Sequence, residues 1–282
     1  MQLPRPEVDD LRLIEKVVAE RQNGRNRLYF AGIEDAWKRR AQQYLAAGGN
    51  PEVVKPWPDV AEQDVKTRYL TLYNSPDDDA VQKAVLEKLR ERTLQLCPAC
   101  GEDGTPNTLD HYLPKDDYPE FSILAANLFP MCDICQGHKG TDTLDDMGRR
   151  LFLHPYFDQL LNQQVMQLKM GLPFASPKSM TLEAHDDLCP TLKPVVSRHL
   201  ENLQLESRYN HYFRDEHVRL LGNVTDIREA ELDVTQQLVL FRNNARRKSI
   251  NSWGHIFYDA VLRNNALMNF LALTPLPLLS AS

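Results

Sequence analysis

Residues 127–139 read NLFPMCDICQGHK. One cysteine pair, Cys132 and Cys135, runs into a helix start, and an earlier pair, Cys97 and Cys100 in CPAC, lies 31 residues before it. Two CxxC turns supply four thiolates in the arrangement that tetrahedral zinc prefers. A site closed by four sulfurs is structural, because no coordination position stays open. The same thiols could instead be small buried hydrophobes or a redox pair. Two pairs in one short, strand-poor stretch point to metal. The fifth cysteine, Cys189, stands alone, and with His185 it is too sparse to form a site.

The rest of the composition sets limits. With 282 residues, 42% hydrophobic and 26% charged, the chain is an ordinary globular protein with room for one large or two modest domains. The start, MQLPRPEVDD, lacks a basic flank followed by an apolar stretch, and the apolar tail FLALTPLPLL is short and broken by two prolines. A cytoplasmic protein with no membrane partner is expected. In that compartment five cysteines are not a disulfide framework.

Before Cys97 the sequence reads as helical. Leu11, Ile14, Val17 and Val18 keep helical spacing, and a second helix is expected from about Ile33 to Ala47, stopped by Gly48-Gly49 and Pro51. A third is expected over Asp59–Tyr73. A fourth should begin near Ser75-Pro76 with Asp77, Asp78 and Asp79 in its first turn, and run directly to Cys97. Residues 97–150 read as knuckles and short strands ending in a helix. Then QQVMQLKMGLPF suggests one or two strands, and Pro173, Pro177, Pro190 and Pro194 mark loop-rich chain. Three later segments, within 197–213, 228–249 and 251–273, return to helix. The expected organisation is a helical region over 1–96, a zinc-stapled core over 97–150, and a mixed then helical region over 151–282.

Between the cysteine pairs, Asp110 and His111 follow Leu109 and precede YLPK, as in a short strand turning into a loop. A carboxylate can hold a hard cation, and an imidazole beside it can take a proton from water. An isolated Asp-His dipeptide would more often cap a turn. Here LDHYLPK, Asn127 in NLFPMC, the second cysteine pair and Lys139 come in order within 97–139. Together they resemble the zinc-bearing HNH (His-Me finger) endonucleases. The resemblance implies a fold that is mainly α, with a small ββα-metal core over roughly 108–150 stapled by a four-cysteine zinc. It implies hydrolysis of phosphodiester bonds in DNA. His111 matches the general base, Asp110 the first ligand of a catalytic Mg2+ or Mn2+ ion, and Asn127 the residue that bonds the backbone of the loop carrying the base. Cys97, Cys100, Cys132 and Cys135 match the structural Zn2+ ligands, and Lys139 the basic residue near the helix start, in reach of phosphate.

The family places His or Asn immediately after the last cysteine, where this chain has Gln136. Gln136 still offers an amide oxygen, on a stem one methylene longer. His138, the alternative ligand, would point about 200° away from Gln136 on a regular helix, so it competes only if the helix starts late. Otherwise it is a surface or phosphate-contacting histidine. His154 in LFLHPYFD would support the metal site or pack a turn.

Net charge is −6, and residues 97–150, with ten acids and four bases, hold the whole excess. That suits a divalent-cation site and equally a solvated surface. Phosphate contacts would come from Arg21, Arg25 and Arg27, from Lys38, Arg39 and Arg40, or from Arg242, Arg246, Arg247 and Lys248. Tyr209, Tyr212 and Phe213 read as helix core. The helix-CxxC-DHYLPK-CxxC order is also similar to nuclease subunits of anti-phage systems such as Septu, which work with a separate ATPase. This chain has no GxxxxGK[ST] loop of its own. The competing function is a non-catalytic or weakened zinc module that binds nucleic acid or a partner. A zinc deaminase is excluded, because no histidine precedes His111.

Overall fold

The computed structural model describes residues 1–21, 24 and 26–277, so Arg25 and the end of the apolar tail lie outside the described residues. The chain is mostly helical, with two small antiparallel sheets. It divides into two compact units: residues 2–99 with 104–159, and residues 100–103 with 160–282 together with Met1.

In the first unit, helix α1 (Asp10–Glu20) starts where Asp9 accepts from the backbone N–H groups of Leu11 and Arg12, and it buries Leu13, Ile14, Val17 and Val18. Helix α2 (Arg27–Ala47) begins six residues before the expected Ile33 and stops at Gly48, whose φ of 59° is the left-handed cap anticipated there. The third segment divides: a single turn at Pro58–Val60 precedes helix α3 (Gln63–Asn74).

The fourth helix departs further from expectation. Helix α4 spans only Val81–Arg90. Asp77–Asp79 precede it, and its first free N–H, on Val81, is taken by Glu20 at 3.0 Å from the end of α1. The chain leaves the helix at Arg90, well before Cys97. Leu86 and Leu89 form one stripe, and with Leu109, Ala125 and Leu128 they make a core that seats α4 on the small sheet.

That sheet pairs β1 (Thr108–His111) with β2 (Leu128–Met131) antiparallel, setting Asp110 opposite Phe129 and His111 opposite Leu128. Helix α5 (Asp133–Lys139) follows β2 at once and ends at Gly140, so the helix is far shorter than a core running to residue 150 would give.

In the second unit β3 (Met166–Met170) pairs with β4 (Met180–Ala184). The second strand of this hairpin therefore falls in the proline-rich stretch expected to be loop. Pro194 sits in the first turn of helix α6 (Lys193–Asn202), where a missing N–H costs no hydrogen bond. The segment after it breaks at Gln204, whose φ is 49°, before helix α7 (Leu205–Glu229). Helices α8 (Val234–Lys248), α9 (Trp253–Arg263) and α10 (Asn265–Leu273) are capped by Asp233, Ser252 and Asn264. Tyr209 and Phe213 are buried, as expected of core. The Cys100 carbonyl accepts from Tyr209 Oη at 2.6 Å and Trp253 Nε1 at 2.8 Å. Gly101 beside it has no room for a side chain, since a Cβ there would lie 2.1 Å from the Asn251 carbonyl oxygen. No helix among the described residues is long and apolar enough to cross a membrane.

One buried acid sets the position of β2. Asp10 accepts from the N–H groups of Ala125 at 2.6 Å and Ala126 at 3.2 Å, the start of the turn that leads into the strand. Burial raises its carboxyl to about pKa 6, against the pull of those two backbone donors. The folded state therefore holds the proton more tightly than the unfolded chain. The associated stability is greatest below about pH 4 and is lost as pH rises through about 6, on the order of 2–3 kcal/mol in total. Urea unfolding followed from pH 5 to pH 7 should show the wild type losing stability relative to Asp10→Asn. Parallel curves for the two proteins would rule this out.

Candidate functional site

Asp110 and His111 end β1, and both are buried. The His111 ring is fixed by its Nε2, 2.9 Å from the carbonyl oxygen of Ser122. A carbonyl only accepts, so Nε2 carries the hydrogen and Nδ1 keeps the lone pair that can take a proton. Tyr73 meets the ring edge-on at 4.5 Å between centroids, and the Arg90 guanidinium lies over Tyr73. Burial holds the imidazole down to about pKa 3. The Ser122 carbonyl opposes this shift, and the positive charges of Lys115, Lys139 and Arg90 add to it. The ring is thus neutral at physiological pH, where an unperturbed histidine would still be partly protonated.

Helix α5 brings two side chains to Asp110. Gln136 Nε2 lies 3.3 Å from Oδ1, and Lys139 Nζ lies 3.1 Å from Oδ2. Positions three apart share a helix face, so one turn presents both. Lys139 lies in the last turn, not near the start, and its side chain is only 2% exposed. Its ammonium also donates to the His111 carbonyl at 2.7 Å, so it braces the strand carrying Asp110 and His111 instead of meeting solvent. The ion pair leaves Asp110 Oδ2 buried without a hydrogen bond. His138 is half-buried on the same helix and has no hydrogen bond or ion pair with Asp110 among the described residues.

Asn127 connects the end of β1 to the turn before β2. Its Nδ2 donates to the carbonyls of Leu113 at 3.0 Å and Phe121 at 3.3 Å, while Oδ1 accepts from Leu113 N–H at 2.8 Å. Tyr112 N–H adds a bond to the Asn127 carbonyl at 2.8 Å. The second lone pair of Oδ1 faces Tyr44 Oη at 3.0 Å, and that oxygen lies 3.0 Å from His154 Nε2. The direction of this chain follows from its far end. Tyr156 N–H donates to His154 Nδ1, so His154 Nε2 holds the hydrogen and donates to Tyr44, and Tyr44 donates to Asn127. Burial keeps His154 neutral, well below the usual histidine range. His154 is therefore a packed core residue that reaches the loop through Tyr44. Gly49 is required beside them, since a Cβ there would lie 2.7 Å from Tyr44 Oη.

The cysteines do converge. The sulfurs of Cys97, Cys100, Cys132 and Cys135 lie within 4.8 Å of one another. Zinc at about 2.3 Å from each sulfur sets tetrahedral sulfurs roughly 3.8 Å apart, so a small contraction closes the set around an ion. Backbone N–H groups already aim at two of them: Cys132 N at Cys97 Sγ (3.4 Å) and Cys135 N at Cys132 Sγ (3.5 Å). The second of these is also the N-cap of α5.

Several cations expected at phosphate are engaged elsewhere. Lys38 pairs with Glu15 and Glu34, Arg40 with the buried Glu120, and Lys248 with Asp103. Arg90 and Lys115 lie close enough to His111 for their charges to act on its ring. Arg90 ends an amphipathic helix, where a basic residue reads as solvated surface, so only the position of Tyr73 in the fold distinguishes it.

No family model matches the sequence, and no solved structure matches it. Two curated proteins do. Protein ea31 of Escherichia phage lambda is 33% identical over 97 residues, 34% of this chain and 32% of that protein. Septu protein PtuB of Bacillus thuringiensis is 30% identical over 78 residues, 28% of this chain and 29% of that protein. The chain thus spans about a third of each relative it matches.

The hydrogen-bonded chain and the thiol cluster each make a measurable claim. Tyr44→Phe strands a buried His154 N–H and removes one donor from Asn127, so urea unfolding should show a loss of about 1–3 kcal/mol. A loss below about 0.5 kcal/mol, the level of a neutral surface change, would mean that the chain of bonds is not formed. Metal analysis of the purified protein should find a single equivalent of zinc, reduced in Cys135→Ser. A metal content unaffected by that change would reject the four-sulfur site.

Proposed function

We propose that the chain is a metal-dependent HNH-type endonuclease that hydrolyses phosphodiester bonds in DNA, acting in anti-phage defence or restriction. The observation that carries this reading is the pairing at the end of β1. A histidine has its Nε2–H held by the Ser122 carbonyl, which leaves Nδ1 as the proton acceptor, and the adjacent buried carboxylate has an oxygen whose one near partner is the Lys139 ammonium. The nuclease core would occupy 97–150, with the helical regions on either side selecting substrate or partner. The partial similarity to a Septu protein supports the defence setting, and with it a separate ATPase as partner.

In this mechanism His111 removes a proton from the attacking water at Nδ1, while the Ser122 carbonyl holds the ring in orientation. Asn127 fixes the backbone just beyond the histidine through both polar groups of Leu113. Arg90 and Lys115 would neutralise substrate phosphate. Asp110 and Gln136 are oxygen donors of the type that Mg2+ or Mn2+ takes, with the Gln136 amide turned to present its oxygen. Such an ion, when bound, stabilises charge on the scissile phosphate and on the leaving oxygen. Gln136 is the stronger candidate because it already contacts Asp110, whereas His138 does not.

One observation favours the alternative of a non-catalytic zinc module. The Lys139 ammonium is 3.1 Å from the carboxylate oxygen that a divalent ion would need. A plasmid-nicking assay separates the two. With Mg2+ or Mn2+, the protein, alone or with a neighbouring ATPase, should nick DNA, and His111→Ala should lower the rate about 10²–10⁴-fold with zinc content intact. Gln136→Asn should retain activity, Gln136→Ala should lose most of it, and His138→Ala should cut nearly as well as wild type. No metal-dependent cleavage under any of these conditions would leave the zinc module as the reading.

A further inference from the structure

Unit 100–103 with 160–282 contains a cavity of about 340 Å³ whose lining includes Gln164, His185, Arg242, Arg246, His255 and Asp259. It lies far along the chain from the cysteine frame and contains no residue of the proposed hydrolytic site. Two of its lining side chains hold hydrogens that nothing receives. Asp187 N–H donates to His185 Nδ1 at 3.1 Å, which fixes Nδ1 as an acceptor and puts the ring hydrogen on Nε2. His185 is only 3% exposed, and its Nε2 has no partner among the described residues. The Nε of Arg242 is likewise buried without a partner. Buried N–H donors are rarely left unmet, because their desolvation is not recovered.

The charges lining the cavity indicate the kind of acceptor. Arg242, Arg246 and Arg263 face Asp187 and Asp259, leaving one positive charge in excess. Asp259 is already answered by Arg263 at 2.8 Å and more loosely by Arg242 at 3.9 Å. Asp187 is exposed and pairs with Arg263 at 3.5 Å. Arg246, exposed in the last turn of α8, has no ion pair among the described residues. The groups left without a partner among the described residues are donors, namely His185 Nε2–H, Arg242 Nε–H and the Arg246 guanidinium. Arg242 also donates to Asn243 at 3.3 Å, and the Asp187 and Asp259 carboxylates share the lining.

We propose that this cavity binds an oxyanion of the phosphate class, held by Arg242, Arg246 and the His185 Nε2–H. Guanidinium groups match tetrahedral oxyanions well, since each offers paired N–H donors in one plane. The cavity exceeds what a free ion fills. It shares Gln164, Asp187, Asp259 and Arg263 with a neighbouring cavity of about 650 Å³, enough for the organic part of a phosphomonoester.

Isothermal titration of the whole chain, purified with zinc present, tests the site with two probes, inorganic phosphate and a nucleoside 5′-monophosphate. Saturable binding is expected, weakened about tenfold or more in Arg246→Gln by loss of a charge-assisted bond. His185→Phe should weaken it too, and circular dichroism would show whether that buried change keeps the fold; Arg246→Gln is exposed and serves regardless. Binding of both probes alike assigns a free-ion site, and tighter binding of the monoester assigns the joint cavity. No saturable binding of either probe, or binding unchanged in Arg246→Gln, would mean that water fills the cavity and would overturn the proposal. His111→Ala should leave this binding unchanged, so the site stands or falls separately from the nuclease reading.

Discussion

The carboxamide of Asn127 makes four hydrogen bonds, one for each donor and acceptor it has, and all are buried. Two go to a single residue, Leu113, which lies two positions beyond His111. The peptide segment carrying the histidine is therefore clamped at one point from both sides. The clamp also fixes the turn before β2, because Asn127 ends that turn and Asp10 holds its start. The two strands meet in register only if both fastenings form. Everything that makes His111 and Asp110 a pair, including the Ser122 carbonyl that selects the ring tautomer, depends on this short, fully bonded stretch.

Lys139 is the second constraint, and it acts in two directions. Burying an ammonium is costly unless it is paired and hydrogen-bonded, and here it finds both a carboxylate and a carbonyl. The same contact places a positive charge beside Asp110 Oδ2, so a divalent ion at Asp110, as proposed above, would have to compete with the lysine. A carboxylate neutralised by lysine when empty is easier to bury. Any incoming cation must then displace or share that charge.

Some of this was legible in the sequence. CxxC spacing announced the sulfur cluster, and the order of DHYLPK, Asn127 and the second pair indicated which residues would gather around His111. Gln136 was placed beside Asp110 by its position after the last cysteine. The supporting residues were not legible. Tyr44 and Asp10 lie 83 and 115 positions from their partners, and nothing local in α1 or α2 marks either as polar core. Lys139 reads from sequence as a surface cation because lysine usually is one. The start of α4 is not legible locally because its cap comes from Glu20, on another helix. Local signals find the residues of the candidate site; the residues that hold them come from distant chain.

Cys132 belongs to two structures at once, as a member of the sulfur cluster and as the side chain that caps α5. A helix of seven residues has too few internal bonds to persist alone in water. Its first turn is held by the Cys132 sulfur, which accepts from the Cys135 N–H, and an ion held by the four-sulfur cluster would keep that sulfur in place. Removing or oxidising that thiol would fray the helix from its first turn and withdraw Gln136 and Lys139 from Asp110 together. The placing of Gln136 and Lys139 beside Asp110 thus traces back to one atom at the first turn of one short helix.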